Sequence, residues 1–204
     1  TPIKSSAASD VYKRQGKKIL QGKQTQKVLA FYKPVGVTCT ERDPHAEKKI
    51  MDMIRYPERL TYAGRLDKDS EGLILLTNDG DLINAMMRGA NRHEKEYIVK
   101  TDREITPDFL EKMAKGIYLK DLDITTRECE IEQIGKFTFR IVLTQGVNRQ
   151  IRRMCEACGY RVKALKRIRI MNILLGDLKP GKWREITGEE LEQLQRDTGM
   201  LNRN

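Results

Sequence analysis

Apolar and polar positions alternate along this chain in patterns that predict a mixture of strands and helices. Residues 27–32 and 72–77 form continuous apolar runs, which are typical of buried strands, and a glycine-containing turn follows each run. Period-two alternation at 125–134 and 137–144 predicts a hairpin. Further short strands are predicted at 97–100, 161–165, 168–174 and 183–186.

Helical spacing and capping residues predict helices over 43–54, 82–87, 106–115, 151–158 and 187–197. A proline follows the candidate N-caps Asp43 and Thr106, and Thr187 with Glu190 has the spacing of a capping box. Strands dominate the middle of the chain and helices are interspersed irregularly. The predicted fold class is therefore α+β, with a mixed, mainly antiparallel sheet.

The predicted domain occupies residues 27–197, because the sustained periodicity is confined to that part of the chain. Residues 1–26 are polar and aperiodic, so we expect a poorly ordered tail, and residues 198–204 form a short C-terminal tail. No apolar run approaches the roughly 18 residues that a membrane span needs. Four cysteines in 204 residues are too few for a disulfide framework, so we expect a reduced, cytoplasmic protein.

Charge changes this picture, because the excess of basic residues is concentrated in two segments. The formal net charge is +10, and residues 1–33 and 149–169 each carry +7, which leaves the rest of the chain at −4. A run of like charge is often a solvated face. Basic residues clustered beside an apolar helix and strand pattern favour a surface that binds phosphates, and thus a polyanion as partner.

The stretch 64–80 places Asp67 in a glycine-flanked loop directly before the apolar run at 72–77. Its glycines permit a tight backbone turn or the close approach of another chain, so the loop would hold a carboxylate rigidly at a sheet edge. Acidic residues occupy every second position from Asp67 to Glu71, and no histidine lies near them. We therefore predict no metal site there, and an ordinary Asp-rich turn is the alternative.

A second candidate lies at 145–156, where Arg149, Arg152, Arg153 and Glu156 fall on one polar helical face. Basic side chains at a helix start, just after a glycine-containing turn, suit phosphate binding. The same arrangement suits the pairing of one arginine with a catalytic carboxylate. A solvated amphipathic helix is the alternative interpretation.

At these stretches the chain resembles the pseudouridine synthases of the RsuA type. The resemblance rests on motifs that occur in the same order: Lys33-Pro-Val-Gly36, Gly64-Arg-Leu-Asp67 with 72–80, Lys95-Glu-Tyr97, and 148–154. It covers about residues 27–195 and is closest to the RluF branch, which acts on 23S ribosomal RNA. Members of that branch usually begin with an S4-type RNA-binding domain. Here residues 16–19 resemble only the tail of one, so we expect residues 1–26 to hold a remnant.

The resemblance implies the pseudouridine synthase fold with an active-site cleft across the sheet, and isomerisation of a flipped uridine to pseudouridine. Asp67 would be essential, either attacking C1′ or abstracting a sugar proton, with Arg152 as its ion-pair partner and Tyr97 stacking on the base. No metal and no other cofactor is implied. The phosphates of the RNA would be bound by Arg65, Arg149, Arg153, Arg161, Lys163, Lys166, Arg167 and Arg169.

The partner that this resemblance implies is ribosomal RNA, and a tRNA stem-loop is an alternative substrate for the same chemistry. A noncatalytic RNA-binding or ribosome-assembly protein is the alternative from another functional class. We expect a monomer with no membrane and no small-molecule cofactor as partner. Cys155 and Cys158 share the apolar stripe of the predicted helix, so we assign them to the core rather than to a metal.

Overall fold

The computed structural model describes residues 13–14, 17–18, 25–40, 48–88 and 91–201. The strands are β1 (Lys13–Arg14), β2 (Lys17–Lys18), β3 (Val28–Lys33), β4 (Thr61–Ala63), β5 (Glu71–Thr77), β6 (Lys95–Thr101), β7 (Tyr118–Leu119), β8 (Ile124–Thr125), β9 (Glu130–Gly135), β10 (Thr138–Leu143), β11 (Val162–Ile170), β12 (Ile173–Leu174) and β13 (Trp183–Glu185). The helices are α1 (Ile50–Met53), α2 (Gly80–Met87), α3 (Pro107–Lys115), α4 (Gln150–Ala157) and α5 (Gly188–Asp197).

One large sheet organises the molecule. Its strand order is β13-β3-β5-β11-β6-β10-β9, with β4 also pairing with β5 and β12 with β11. Within this sheet, as far as the structure describes it, each pairing is antiparallel except that of β5 with β11, which is parallel. The predicted α+β class with a mixed, mainly antiparallel sheet is confirmed.

Strand β5 is covered on both faces, which explains why its sequence is a continuous apolar run. On one face Leu73 and Leu75 belong to a core cluster that also contains buried residues of helices α2 and α5. On the other face Ile74 and Leu76 pack with residues of α1 and of the segment before β4. The strand that follows the Asp67 loop is therefore fixed from above and below.

The other half of the sheet is covered on one face. Helices α3 and α4 pack there through Phe109, Met113 and Met154 against Phe139 of β10. Side chains alternate along a strand, so the opposite face is different in character. It carries an ion-pair network in which Arg140 bonds the carboxylates of Glu96, Glu130 and Glu132.

Several predicted elements differ from the observed ones. The strands predicted at 161–165 and 168–174 are mostly one strand, β11, whose register shifts between Arg167 and Arg169 before the short β12. The first hairpin strand begins at Glu130, because Ile124–Thr125 pairs instead with β7. Register shifts and short side hairpins interrupt a period-two pattern without changing its composition, so the sequence pattern does not mark them.

Of the three predicted helix caps, one is observed, one makes no hydrogen bond, and one lies outside the described residues. Thr106 caps α3 by accepting a hydrogen bond from the Phe109 amide, as predicted. Thr187 is the N-cap of α5, but its side chain makes no capping hydrogen bond, so the predicted capping box is wrong. Helix α1 covers only Ile50–Met53, and residues 41–47, which include the predicted cap Asp43, lie outside the described residues.

Most of the predicted tail at 1–26, and residues 202–204 of the predicted C-terminal tail, lie outside the described residues. Each helix within the described ranges is too short or too polar to cross a bilayer.

Candidate active site

A cleft of about 570 Å³ lies where strand β5 begins beside β11. The loop 64–70, which leads into β5, lines one side of it. The segment 143–152, which joins β10 to the first turns of helix α4, lines the other. Lys95 and Tyr97 of β6 and Arg167 of β11 also line the cleft, so it draws on strands from both halves of the sheet.

Gly72 allows the two parallel strands to meet at this point. It has a φ of +110°, and a Cβ there would lie 2.3 Å from the carbonyl oxygen of Arg167. An alanine would therefore collide with the backbone of β11 and would also be strained in this conformation. The sequence predicts that a glycine of this loop allows another part of the chain to come close. At Gly72 that part is the backbone of β11.

The Asp67 loop is held by backbone hydrogen bonds to Asp67 itself and to the next residue, Lys68. The Ser70 amide donates to the Asp67 carbonyl at 3.1 Å, and the Gly36 amide donates to the Lys68 carbonyl at 2.7 Å. The Asp67 side chain is one-third exposed, at 33 %, because it stands at the cleft rather than in the core. The loop thus presents one carboxylate from a fixed backbone.

Cys39 fastens the residue before that carboxylate. Its thiol donates to the Leu66 carbonyl at 3.1 Å and accepts from the Leu66 amide at 3.3 Å. Burial raises the pKa of the Cys39 thiol, so it retains the proton that this donated bond requires. The Leu66 side chain is itself buried in the adjacent core cluster, so the loop is anchored by backbone and side chain together.

Lys33, the last residue of β3, supports the loop from inside the protein. Its side chain is fully buried, and its ammonium donates to the carbonyls of Pro34 and Val37, each at 2.8 Å. Burial lowers the pKa of Lys33, whereas the carboxylates of Asp67 and Asp69 favour its charged form. This lysine therefore braces the turn at 33–37, and the Gly36 amide of that turn bonds the acidic loop.

Arg149 is the ion-pair partner of Asp67. One guanidinium nitrogen lies 3.4 Å from an Asp67 carboxylate oxygen, and the guanidinium also donates to both oxygens of Asp69 at 3.2–3.3 Å. Arg149 is the N-cap of α4 and has left-handed backbone angles, φ 52° and ψ 32°. With these backbone angles at the helix start, the Arg149 side chain extends across the cleft to the Asp67 loop.

Arg152 does not pair with Asp67, so the predicted pairing is wrong. Its side chain is buried, and it donates to the Asp69 carbonyl at 3.0 Å and to the Ser70 hydroxyl at 3.2 Å. The carboxylate nearest to it is that of Asp69, at 3.3 Å. Arg152 therefore binds the loop at Asp69 and Ser70, two and three residues after Asp67.

The two acidic residues of the loop therefore differ in their surroundings. Burial alone would raise the pKa of Asp69, but the hydrogen bond from Arg149 and the charges of Arg152 and Arg149 lower it below its usual value. Asp69 is the structural anchor, whereas Asp67 has a single arginine beside it and an open side toward the cleft.

Tyr97 faces this carboxylate loop from strand β6. It lies opposite Arg167 in the β6–β11 pairing, and its side chain lines the cleft. A carboxylate, an aromatic ring and buried guanidinium groups around one cleft suit a planar, polar ligand that can stack and accept hydrogen bonds.

Comparison with known proteins decides the family. Residues 27–157 match the model of a family described as RNA pseudouridylate synthase. This chain belongs to that family. The dual-specificity RNA pseudouridine synthase RluF of Escherichia coli strain K12 is 47 % identical over 167 residues, which are 82 % of this chain and 57 % of that protein. The chain therefore spans little more than half the length of that relative.

A second relative and a solved structure support the same family. The ribosomal large subunit pseudouridine synthase B of Vibrio cholerae is 34 % identical over 178 residues, covering 83 % of this chain and 54 % of that protein. A crystal structure of a pseudouridylate synthase superimposes with a TM-score of 0.78 at 29 % identity, covering 83 % of this chain and 74 % of that one. The predicted pseudouridine synthase fold is confirmed.

The basic residues that the sequence predicts to bind phosphates lie in different environments in the folded chain. Arg167 is 2 % exposed and donates to the Leu73 carbonyl at 2.7 Å. Its predicted contact with RNA phosphates at the surface is wrong, because Arg167 alternates onto the same face of β11 as the buried Leu165.

The other basic residues of that prediction are largely engaged or lie off the cleft. Arg169 pairs with Glu94 at 3.0 Å and with Glu96 at 2.6 Å. Arg153 pairs with Asp121, and Lys166 lies over the Tyr32 ring. Arg161 and Lys163 are exposed but do not line the cleft. Arg65 is exposed and lines the cleft.

Sequence reasoning missed several residues that line or support the cleft. They are Lys33, Cys39, Lys68, Arg88 and Lys95. Lys33 and Lys95 have a usable signal, because each lies in a motif of the resemblance, Lys33-Pro-Val-Gly36 and Lys95-Glu-Tyr97. The others come from separate segments that only the folded chain brings together.

The described part of the chain contains no group of three or more histidine, cysteine, aspartate or glutamate side chains placed to hold a metal. Cys155 and Cys158 are free thiols on the inner side of α4, where they contribute to the core cluster around Met154.

Proposed function

We propose that this chain isomerises uridine to pseudouridine in large-subunit ribosomal RNA. The observation that carries the proposal is the Asp67 carboxylate, fixed on a braced loop and open to a cleft that Tyr97 also lines. A site built to bind RNA without chemistry has no need of a rigidly held carboxylate, since phosphates repel it.

The reaction rearranges one bond and is redox-neutral. The C1′–N1 bond breaks, its electron pair goes to N1, and the detached uracil turns until C5 bonds to C1′. A proton then leaves C5, and N1 takes one up. Asp67 acts at the sugar, either by attacking C1′ or by abstracting a sugar proton, and Arg149 holds its carboxylate toward the cleft.

The target nucleotide has to leave the RNA stack before it can reach Asp67. A cleft of about 570 Å³ is large enough for a small ligand, in the range usual for binding sites. The Tyr97 ring then stacks on the flipped base, which contributes about 1–3 kcal/mol.

Phosphates beside the flipped nucleotide bind the cleft-mouth cations, by which we mean Arg65, Lys68 and Arg88. All are exposed, line the cleft and, among the residues that the structure describes, face no carboxylate within ion-pair distance. Arg149 adds a fourth positive charge from the other side. Contacts from Arg161 and Lys163 to more distant phosphates remain predictions.

The choice of RNA rests on the relatives. The Escherichia coli relative is named as dual-specific and the Vibrio cholerae relative as acting on the large ribosomal subunit. We therefore place large-subunit RNA first and a tRNA stem-loop second. We also propose a monomer that works without a cofactor in the cytoplasm, where four free thiols are usual.

The decisive experiment compares the chain with its Asp67→Asn variant on fragments of large-subunit RNA and on tRNA stem-loops. We expect the substitution to lower pseudouridine formation by more than about 1,000-fold, because it removes the group that acts at the sugar, with RNA binding nearly unchanged. Asp177→Asn, on an exposed loop, is the control that should keep full activity.

Each outcome has a definite meaning. Pseudouridine on tRNA alone would move the substrate to the second choice. An active Asp67→Asn variant would remove the role of Asp67. RNA binding without pseudouridine from the unaltered chain on either RNA would favour the noncatalytic alternative.

A further inference from the structure

Lys95 is a cleft residue to which the proposed function gives no role. It is the first residue of β6 and precedes Tyr97 by two positions, so both side chains project from the same face of the sheet. Both line the cleft. Lys95 is thus placed to meet the base that Tyr97 stacks upon.

The surroundings of this ammonium are unfavourable for an empty site. Burial lowers the pKa of Lys95, and the positive charge of Arg167 lowers it further. Within the described ranges no carboxylate offsets these effects, because the acidic neighbours Glu94 and Glu96 are engaged by Arg169. A half-buried cation without a counter-ion destabilises a fold, so its presence calls for a function.

Buried guanidinium groups in the same cleft as Lys95 are also incompletely satisfied. Arg167 Nη2 and Arg152 Nε are buried and have no hydrogen-bond partner among the described residues. Both arginines line the cleft together with Lys95. The floor of the cleft is therefore positive, and the carboxylate that lines it within the described residues is that of Asp67.

The proposed reaction generates negative charge at this place. When the C1′–N1 bond breaks, the electron pair passes to N1 and spreads to the O2 and O4 oxygens of the uracil. This holds whether Asp67 attacks C1′ or abstracts a sugar proton. A donor already desolvated and aimed at developing charge stabilises a transition state more than a hydrated one does.

We propose that Lys95 is a further catalytic residue, whose ammonium donates a hydrogen bond to an oxygen of the departing uracil and stabilises its negative charge. This inference rests on the proposed function, since it requires cleavage of the glycosidic bond. Arg167 reinforces the positive potential from below, and Tyr97 holds the ring while it turns.

The first test is Lys95→Met, which keeps the length of the side chain and removes its charge. Under single-turnover conditions we expect the rate of pseudouridine formation to fall about 100-fold with RNA affinity unchanged. Lys95→Arg should recover most of the rate. Lys100→Met is the matched control, because Lys100 lies on the same strand, is exposed and projects from the opposite face.

A thermal melt shows that any loss is not due to unfolding. Removing an uncompensated, half-buried charge should raise the Tm of Lys95→Met above that of the unaltered chain. A less stable variant would indicate that the ammonium has a structural partner and would overturn the inference.

A second substrate separates stabilisation of the leaving base from mere positioning. The fluorine of 5-fluorouridine withdraws electrons and makes the departing base a more stable anion, so the defect of Lys95→Met should shrink with this RNA. The readout is loss of intact 5-fluorouridine from nuclease digests, because fluorine at C5 blocks the final proton loss. An equal defect on both RNAs would overturn the catalytic role.

Failure of this inference is distinguishable from failure of the proposed function. If the unaltered chain forms pseudouridine and Lys95→Met is as fast, the role of Lys95 alone is wrong. If the unaltered chain forms none, both are wrong.

Discussion

The cleft-mouth cations and the basic side chains of strand β11 carry similar formal charge but differ in what surrounds them. Arg65 and Lys68 lie on the Asp67 loop and Arg88 follows helix α2; all are exposed and, within the described residues, have no carboxylate within ion-pair distance. On β11, Arg167 is buried and Arg169 is paired with two glutamates. The density of positive charge along a sequence therefore does not show which charges are available to a polyanion.

Gly72 joins these two regions, and its replacement is expected to have the largest effect. In Gly72→Ala the new methyl group would meet the Arg167 carbonyl, separating the Asp67 loop from β11. We expect destabilisation by about 3 kcal/mol or more, measured by denaturant unfolding, together with loss of activity. Gly80→Ala is the control, since that position has open space and begins a helix. Equal stability of the two variants would show that the close approach imposes no constraint.

Two variants matched in charge test whether the two regions bind RNA differently. One replaces Arg65, Lys68 and Arg88 by glutamine, and the other replaces Lys163, Lys166 and Arg169. Each lost phosphate contact lowers the slope of log Kd against log salt by about 0.7–0.9, so we expect a loss of about 2.1–2.7 for the three cations of the cleft-mouth variant. The β11 variant should lose at most about 0.9, because only Lys163 among its three cations is exposed.

The salt titration is read from RNA binding at several ionic strengths. If both variants lost the same slope, RNA would be responding to net charge rather than to the cleft mouth. The basic track along β11 that the sequence predicts would then be correct.

The smallest expected effect concerns Asp69, which belongs to the same loop as Asp67. The pKa of Asp69 is lowered in the folded protein, so its pairing stabilises the fold above the unfolded pKa of about 4. This contribution is lost as the pH falls through the folded value. Because the side chain is half exposed, we expect less than about 1 kcal/mol from Asp69→Asn at neutral pH.

Unfolding curves at several pH values check this sign. The difference in stability between the unaltered chain and Asp69→Asn should be largest near neutrality and should vanish in acid. A difference that grows on acidification would contradict the ion-pair assignment.

Local patterns were enough to predict much of the fold. The buried strand β5, the β9–β10 hairpin turn and helix α3 with its Thr106 cap all depend on residues close together in sequence. The Asp67 loop was found for the same reason, since its glycines and its carboxylate are neighbours.

Long-range geometry could not be predicted in the same way. A helical wheel places Arg149 and Arg152 on one face, but Arg149 adopts left-handed angles at the N-cap and reaches Asp67 in place of Arg152. A register shift between Arg167 and Arg169 turns these two side chains to opposite faces of β11, and it leaves no mark in the composition. Arg88 is an isolated basic residue until the fold brings it to the cleft.

The parallel pairing of β5 with β11 has a consequence for how the protein folds. Asp69 and Arg149, which bond each other across the cleft, are 80 residues apart in the chain. Contacts of such long sequence separation pay a large loop-closure cost and form slowly compared with hairpins and helices. A nascent chain that ends at β10 contains the carboxylate loop and Tyr97 but lacks Arg149, Arg152 and Arg167. Recovery of activity during refolding is therefore expected to lag behind recovery of secondary structure.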